Sequence, residues 1–188
     1  MGKVVIGATM SLDGFINDRN GDLGPLYPDL DAMRRTETLQ RSIRETGAVV
    51  MGRRTYDLAG PNGFVGYEFQ VPIFVLTHRV PSRALPGEND ELKLIFVTDG
   101  IESAVRQARA AAGAKDVTVV GGASTAQQCL RAGLADEIQI HLAPLLLGGG
   151  LRFFEDTGSE PMRLETISAS EGPWALPGVT HARYRVPR

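Results

Sequence analysis

The sequence predicts an α/β fold: a mixed, mainly parallel central sheet with helices on both faces and an antiparallel hairpin at its C-terminal end. Three observations lead there. Short β-branched runs alternate with helix-like segments from Lys3 to Gly133. Beyond Glu137, strand-like segments follow one another directly. Three strand ends run into glycine or basic turns, at Gly52-Arg53, Thr77-His78-Arg79 and Gly121-Gly122. Alternation of strand and helix favours a parallel sheet, and such sheets bind ligands beyond the carboxyl ends of their strands. With 188 residues and 43% hydrophobic content, residues 1–188 are expected to form one domain.

Lys3 to Met10 reads as a central strand, and Asp13-Gly14 turns the chain out of it. Asn17 to Pro28 is rich in Gly, Asp, Asn and Pro, a loop long enough to suggest a functional role. A helix is predicted from Asp29 to Thr46, with Leu30, Met33, Leu39 and Ile43 on one face. Ala48–Met51 is a short buried strand ending at Gly52, where Arg53, Arg54 and Thr55 begin a helix. Two arginines at such a point suit a phosphate through forked hydrogen bonds, or stand as solvated surface groups. Val71 to Thr77 and Leu92 to Thr98 are two more strands, and Ile101, Ala104, Val105 and Ala108 mark a helix.

The stretch from Asp116 to Gly133 organises the rest. A β-branched strand leads to Gly121-Gly122, then to Ser124 and Thr125 as cap residues, and a helical run stops at Gly133. Unpaired N–H groups and a partial positive charge at a helix start suit a phosphate, and glycine lets backbone come close to it. An ordinary strand-to-helix turn has the same appearance. Glu137 to Leu142 alternates, placing Ile138, Ile140 and Leu142 on one face and Glu137, Gln139 and His141 on the other. Met162 to Ser170 and Val179 to Val186 are predicted to pair as a hairpin across residues 171–178, with Trp174 in the connection.

A net charge of −2 gives no overall attraction to nucleic acid or anionic membrane. No apolar run approaches the ~18 residues that would span a bilayer, and the N-terminus lacks a signal-peptide pattern. The sole cysteine, Cys129, excludes an internal disulfide and a cysteine metal cluster. A cytoplasmic protein without a metal, acting on a small molecule, is expected. Apolar residues Leu145 to Leu147 suit either the core or a homodimer contact.

Five segments taken together resemble the dihydrofolate-reductase-like superfamily: Met10–Ile16, Met51–Tyr56, Val120–Ser124, Ala132–Glu137 and Pro144–Gly150. The branch they resemble is the C-terminal reductase domain of the bifunctional riboflavin-biosynthesis deaminase/reductase, here without the deaminase half. The resemblance implies a three-layer sandwich and an NADPH site. Arg53, Arg54 and Thr55, after Gly52, would bind cofactor phosphate, and Thr77, His78 and Arg79 would lie near the adenosine 2′-phosphate. Val120, Gly121, Gly122, Ala123, Ser124 and Thr125 would cradle the pyrophosphate, with a cis Gly-Gly peptide common in the superfamily. Ala8, Thr9 and Ile16 would frame the nicotinamide. The clustered arginines match the extra 2′-phosphate that separates NADPH from NADH.

The resemblance also suggests a carboxylate at the first helix start for the substrate. Asp29 fits, with Asp31 its competitor, although either serves equally as a helix cap. His141, on the polar face of its strand, is expected to donate or relay a proton near Asp29, or else to be a surface or interface histidine. The implied activity is NADPH-dependent reduction of a heterocyclic or ribosylated substrate, as in 5-amino-6-(5-phosphoribosylamino)uracil reduction. Its alternatives are a dihydrofolate or pterin reductase, a ligand-binding domain without turnover, and an assembly domain.

Overall fold

In the computed structural model the described residues are 2–155, 157–158 and 160–187. The strands are β1 (Val4–Ser11), β2 (Thr46–Gly52), β3 (Ile73–Leu76), β4 (Leu94–Val97), β5 (Asp116–Val120), β6 (Glu137–Ala143), β7 (Glu165–Gly172) and β8 (Val179–Arg185). The helices are α1 (Leu30–Arg34), α2 (Glu37–Glu45), α3 (Arg53–Asp57), α4 (Ile101–Ala112) and α5 (Ala123–Arg131). All eight strands form one sheet in the order β4-β3-β2-β5-β1-β6-β8-β7. The first six run parallel, and β8 pairs antiparallel with both β6 and β7.

Two apolar clusters cover the two faces, as alternating side chains require. On one, Val4, Ile6, Val50, Val117 and Val119 meet Ala104, Val105 and Ala108 of α4 and Ala126 and Cys129 of α5. On the other, Val49, Met51, Ile73 and Val75 meet Met33, Leu39 and Tyr56 from α1, α2 and α3. The second cluster extends to Trp174 and Val179 at the hairpin. Cys129 is fully buried, and burial pushes its thiol up to about 12. It is a core residue.

Three local expectations change, and one strand residue lies in unexpected surroundings. The helix foreseen from Asp29 to Thr46 is two helices, because Thr36 interrupts it. The Thr36 hydroxyl donates to the Met33 carbonyl at 2.7 Å and accepts from Leu39 N–H at 3.3 Å, so it caps α2 instead of continuing α1. Ser124 and Thr125 do not cap α5; Gly122 holds that position and no side chain caps the helix. Strand β7 starts at Glu165 rather than Met162. Most of β7 is exposed, so no inside-outside pattern marks its register. Glu137 does not face solvent: it is 3% exposed, gripped by Lys3 at 2.6 Å and by Arg183. Strand β6 lies between β1 and β8, so an acidic group there needs partners.

Candidate functional site

The carboxyl ends of β2, β3 and β5 bring together most of the residues expected to hold phosphate. At β5, Gly121 and Gly122 adopt φ of 57° and 72°, values open mainly to glycine. A methyl on Gly121 would stand 3.1 Å from the Thr55 side chain, and one on Gly122 would stand 3.2 Å from Thr55 Oγ1. At β2, a methyl on Gly52 would fall 2.5 Å from Thr125 Oγ1. Gly52, Gly121 and Gly122 therefore pack with the Thr55 and Thr125 side chains into a single tight junction between the two strand ends. The Gly121–Gly122 peptide is trans, which corrects the cis geometry suggested by the resemblance.

The α5 start supplies donors to this junction. Gly122 makes no side-chain cap bond, and the helix leaves its first N–H groups without intrahelical acceptors. Ser124 is exposed and accepts from Gln128 at 3.1 Å. Ala123 is buried in the core and Val120 packs against the opposite cluster, so these two contribute backbone only.

Basic groups flank the junction. Arg53 Nη1 donates to the Arg79 carbonyl at 3.1 Å, while its Nε is held by Asp57 at 2.8 Å. Thr77 Oγ1 donates to the same Arg79 carbonyl at 2.9 Å. The β2 and β3 ends are thereby fastened into one rim. Arg54, His78 and Arg79 are exposed on it. Arg53, Arg79 and Gly122 thus share one edge of the sheet.

The neighbouring ends of β1 and β6 are built differently. Thr9 is 3% exposed, and its Oγ1 accepts the Trp174 indole N–H at 2.8 Å. Half-buried Tyr27 packs against the same side, in the second cluster. Ala8 and Ile16 pack instead toward the α4 and α5 cluster. Ala8 and Thr9 point to opposite faces, as adjacent strand residues must, so their side chains do not frame one ring together.

His141 differs from expectation. It is 6% exposed, stacked on Trp174 with ring centroids 3.8 Å apart. Its Nδ1 lies 2.6 Å from Nδ1 of His181. Burial first, and then His181, pull the His141 pKa down to about 3. The imidazole is enclosed, and burial favours its neutral form. Nδ1–H of one ring donates to the bare Nδ1 of the other. His181 Nε2 is buried without a hydrogen bond of good geometry, beside the backbone of Gly172 and Pro173.

Asp29 caps α1, its Oδ1 accepting Ala32 N–H at 2.8 Å, and its side chain is exposed. Asp31 is exposed and pairs with Arg34 at 3.1 Å. Among the described bonds none joins either carboxylate to His141.

Asp13, read from sequence only as a turn residue, fastens the end of β1. It accepts from the Ser11 hydroxyl at 2.6 Å and from the N–H groups of Leu147 and Gly148 at 3.1 and 2.8 Å. The Ser11 hydroxyl, aided by these amides, pulls its carboxyl down to about 2. Leu146 in the same loop is 70% exposed. Tyr27, Trp174 and His181 carried no motif that marked them, since each acts through a tertiary contact.

Two depressions lie elsewhere. One of about 590 Å³ sits between α4 and residues 133–136. Asp136 bonds Val4 N–H, so this hollow lies at the amino end of β1, away from the strand tips. A smaller one of about 190 Å³ lies on the β6-β8-β7 face. Among the described residues no cluster of three potential metal ligands occurs, and no helix is long and apolar enough to cross a membrane.

The family model described as the RibD C-terminal domain matches residues 2–174. The chain belongs to this family. It is 27% identical over 159 residues to the uncharacterized protein YyaP of Bacillus subtilis (strain 168), covering 82% of this chain and 81% of that protein. Its structure is similar to that of a putative riboflavin biosynthesis protein from Shewanella sp. PV-4, with a TM-score of 0.76, 24% identity and 99% of each chain covered. It is also similar to a diaminohydroxyphosphoribosylaminopyrimidine deaminase/5-amino-6-(5-phosphoribosylamino)uracil reductase from Thermotoga maritima, with a TM-score of 0.68 and 18% identity. That match covers 99% of this chain but 57% of the Thermotoga chain. The dihydrofolate-reductase-like fold expected from the sequence is the fold found.

Proposed function

We propose that the protein is an NADPH-dependent reductase that delivers hydride to a small heterocyclic acceptor. The observation that carries this reading is the junction of Gly52, Thr55, Gly121, Gly122 and Thr125 beside the Arg53–Arg79 rim. The glycines let the two strand ends pack closely on Thr55 and Thr125, and the start of α5 beside them offers N–H donors, which suit a pyrophosphate. The exposed Arg54, His78 and Arg79 lie one strand end away, where a 2′-phosphate would be held by charge-assisted bonds.

Bound there, the cofactor would supply two electrons and a hydrogen nucleus as hydride, ending as NADP+. The acceptor gains that hydride at carbon, its C=N or C=O π bond breaks, and the heteroatom takes a proton. The chain's part is to bind, orient and exclude water. Asp29, with Asp31 beside it, stands at the exposed end of α1 as the group to accept an acceptor N–H. The proton comes from water at that mouth, because His141 is neutral. His141 holds Trp174, and Trp174 holds Thr9, so this side of the site is positioned rather than titrated.

Calorimetric titration with NADPH and NADH tests the reading. NADPH is expected to bind roughly tenfold or more tightly than NADH, and Arg79→Ala is expected to abolish that preference. Arg53→Ala is expected to weaken both cofactors, since it loosens the rim as well. Equal affinity for the two cofactors, or no binding of either, would sink the proposal.

A further inference from the structure

His141 and His181 sit opposite each other where β6 pairs with β8, and their facing Nδ1 atoms are 2.6 Å apart. Trp174 covers them: its ring stacks on His141 at a centroid distance of 3.8 Å and meets His181 edge-on at 5.6 Å. We infer that this pair is an acid-sensitive latch, in which an added proton drives residues 173–178, with Trp174, off the carboxyl end of β1 while the sheet stays folded. Nothing in the latch depends on a bound cofactor, so it stands apart from the reductase reading.

With one Nδ1 protonated and the other bare, the contact is a hydrogen bond. An added proton makes both Nδ1 atoms donors aimed at each other and leaves a buried charge, which is costly unless paired. The surroundings offer no pairing. On the same face of β6, Gln139 Nε2 lies 3.4 Å from His141 Nε2, and Glu137 is taken up by Lys3 and Arg183. Arg183 of β8 also faces Glu45 and Asp116 at 3.6 and 3.9 Å. On β7, Ser170 stands opposite His181, and Glu165 is paired with Arg185. Glu171 stands opposite Thr180, on the other face of the sheet. On β1, Thr9 is bonded to Trp174. The titratable members of the apolar cluster over this face are the phenols of Tyr27, Tyr56 and Tyr67. A charge on the pair is therefore relieved by reaching water.

The connection is the part that yields. Strands β6 and β8 are each paired on both sides, so their backbones stay in place and the rings must turn. A methyl on Gly172 would stand 3.0 Å from His181 Cδ2, so a turning ring finds no room beneath the hairpin end and pushes residues 173–178 outward. Among the described bonds, the one from Trp174 to Thr9 ties that segment to β1. Burial lowers the pKa of both imidazoles in the closed form. The closed form is therefore favoured at neutral pH, and each pH unit below ~6.5 shifts the balance toward the open form by up to about tenfold.

Trp174 is the sole tryptophan, so its fluorescence reports the latch directly. Acrylamide quenching of the full chain, recorded from pH 7 to pH 4 alongside far-UV circular dichroism, tests the proposal. The quenching constant is expected to rise roughly twofold or more on acidification while ellipticity keeps its neutral value, as a local opening requires. His141→Gln and His181→Gln are each expected to remove the rise. Ring-nitrogen NMR of the wild-type chain keeps the assignment independent of how the variants fold: the His141 and His181 signals are expected to shift over the same pH interval as the quenching. Quenching that stays flat until ellipticity is lost overturns the latch. So does a rise that persists in a folded variant, or one across which both rings stay neutral.

Discussion

The indole Nε1 of Trp174 donates a 2.8 Å hydrogen bond to Oγ1 of Thr9, across 165 positions of sequence. The bond ties the hairpin connection to the central strand at the edge where the ligand is proposed to sit. Trp174→Phe preserves much of the stack on His141 but deletes the donor. It takes the indole donor from a buried hydroxyl and is expected to cost about 1–3 kcal/mol. Urea unfolding checks this, and a midpoint equal to wild type would show that the bond is idle.

The junction separates two reasons for glycine. At Gly52 the backbone is extended, with φ of −81°, so only space forbids a methyl: Thr125 Oγ1 would be 2.5 Å away. Gly52→Ala is expected to cost about 1–3 kcal/mol through overpacking. Thr125→Ala removes the clashing atom, so the double variant is expected to recover most of that loss in a double-mutant cycle. At Gly122, φ of 72° adds backbone strain that no neighbour relieves. Gly122→Ala is expected to remain destabilised by about 1 kcal/mol whether or not Thr125 is truncated. Rescue of Gly122→Ala by Thr125→Ala would contradict the distinction.

The sheet was legible because its signals are local. The valine and isoleucine runs of β1, β2, β3 and β5 mark strands without reference to any partner, and the glycine and basic turns mark their carboxyl ends. Gly52, Gly121 and Gly122 stood out for the same reason, whereas the role given to Thr55 came from the family resemblance. The Trp174–His141–His181 stack was not legible, because strand pairing between β6 and β8 sets His141 opposite His181. Alternation placed His141 on the correct side of β6 but said nothing of what covers that side. Thr36 escaped notice because a threonine within an apolar stripe looks like helix interior until its hydroxyl is seen to bond Met33 and Leu39. Strand β7, open on both faces, has no amphipathic pattern from which to read its start.

The His141–His181 pair sets an acid-side stability limit. His141 is held near pKa 3 in the fold against ~6.5 in an unfolded chain. Between those values the unfolded chain binds a proton that the folded one does not, so stability rises with pH there. The contribution is complete above pH ~6.5 and is lost as pH falls toward 3, at up to about 1.4 kcal/mol per unit. Burial lowers the His181 pKa as well, in the same direction. His141→Gln is expected to flatten this slope in melts recorded from pH 7 to pH 4. An unchanged slope would show that other groups carry it.

Asp13 controls the loop after β6 from the end of β1. Its carboxylate accepts the Leu147 and Gly148 amides as well as the Ser11 hydroxyl, so three partners prefer the ionised form. The depressed pKa of about 2 means that this support is complete above the ordinary carboxylate range and is lost only as pH falls toward 2. Asp13→Asn removes the charge at every pH and keeps one acceptor oxygen, too few to serve the three donors in the same geometry. Amide exchange at Leu147 and Gly148 is therefore expected to quicken in Asp13→Asn at neutral pH, while exchange in the buried β2 strand stays at the wild-type rate. Equal exchange at the two loop amides would show that the 145–150 loop is held by its other contacts, chiefly the Leu12 N–H bond to the Leu145 carbonyl at 2.9 Å.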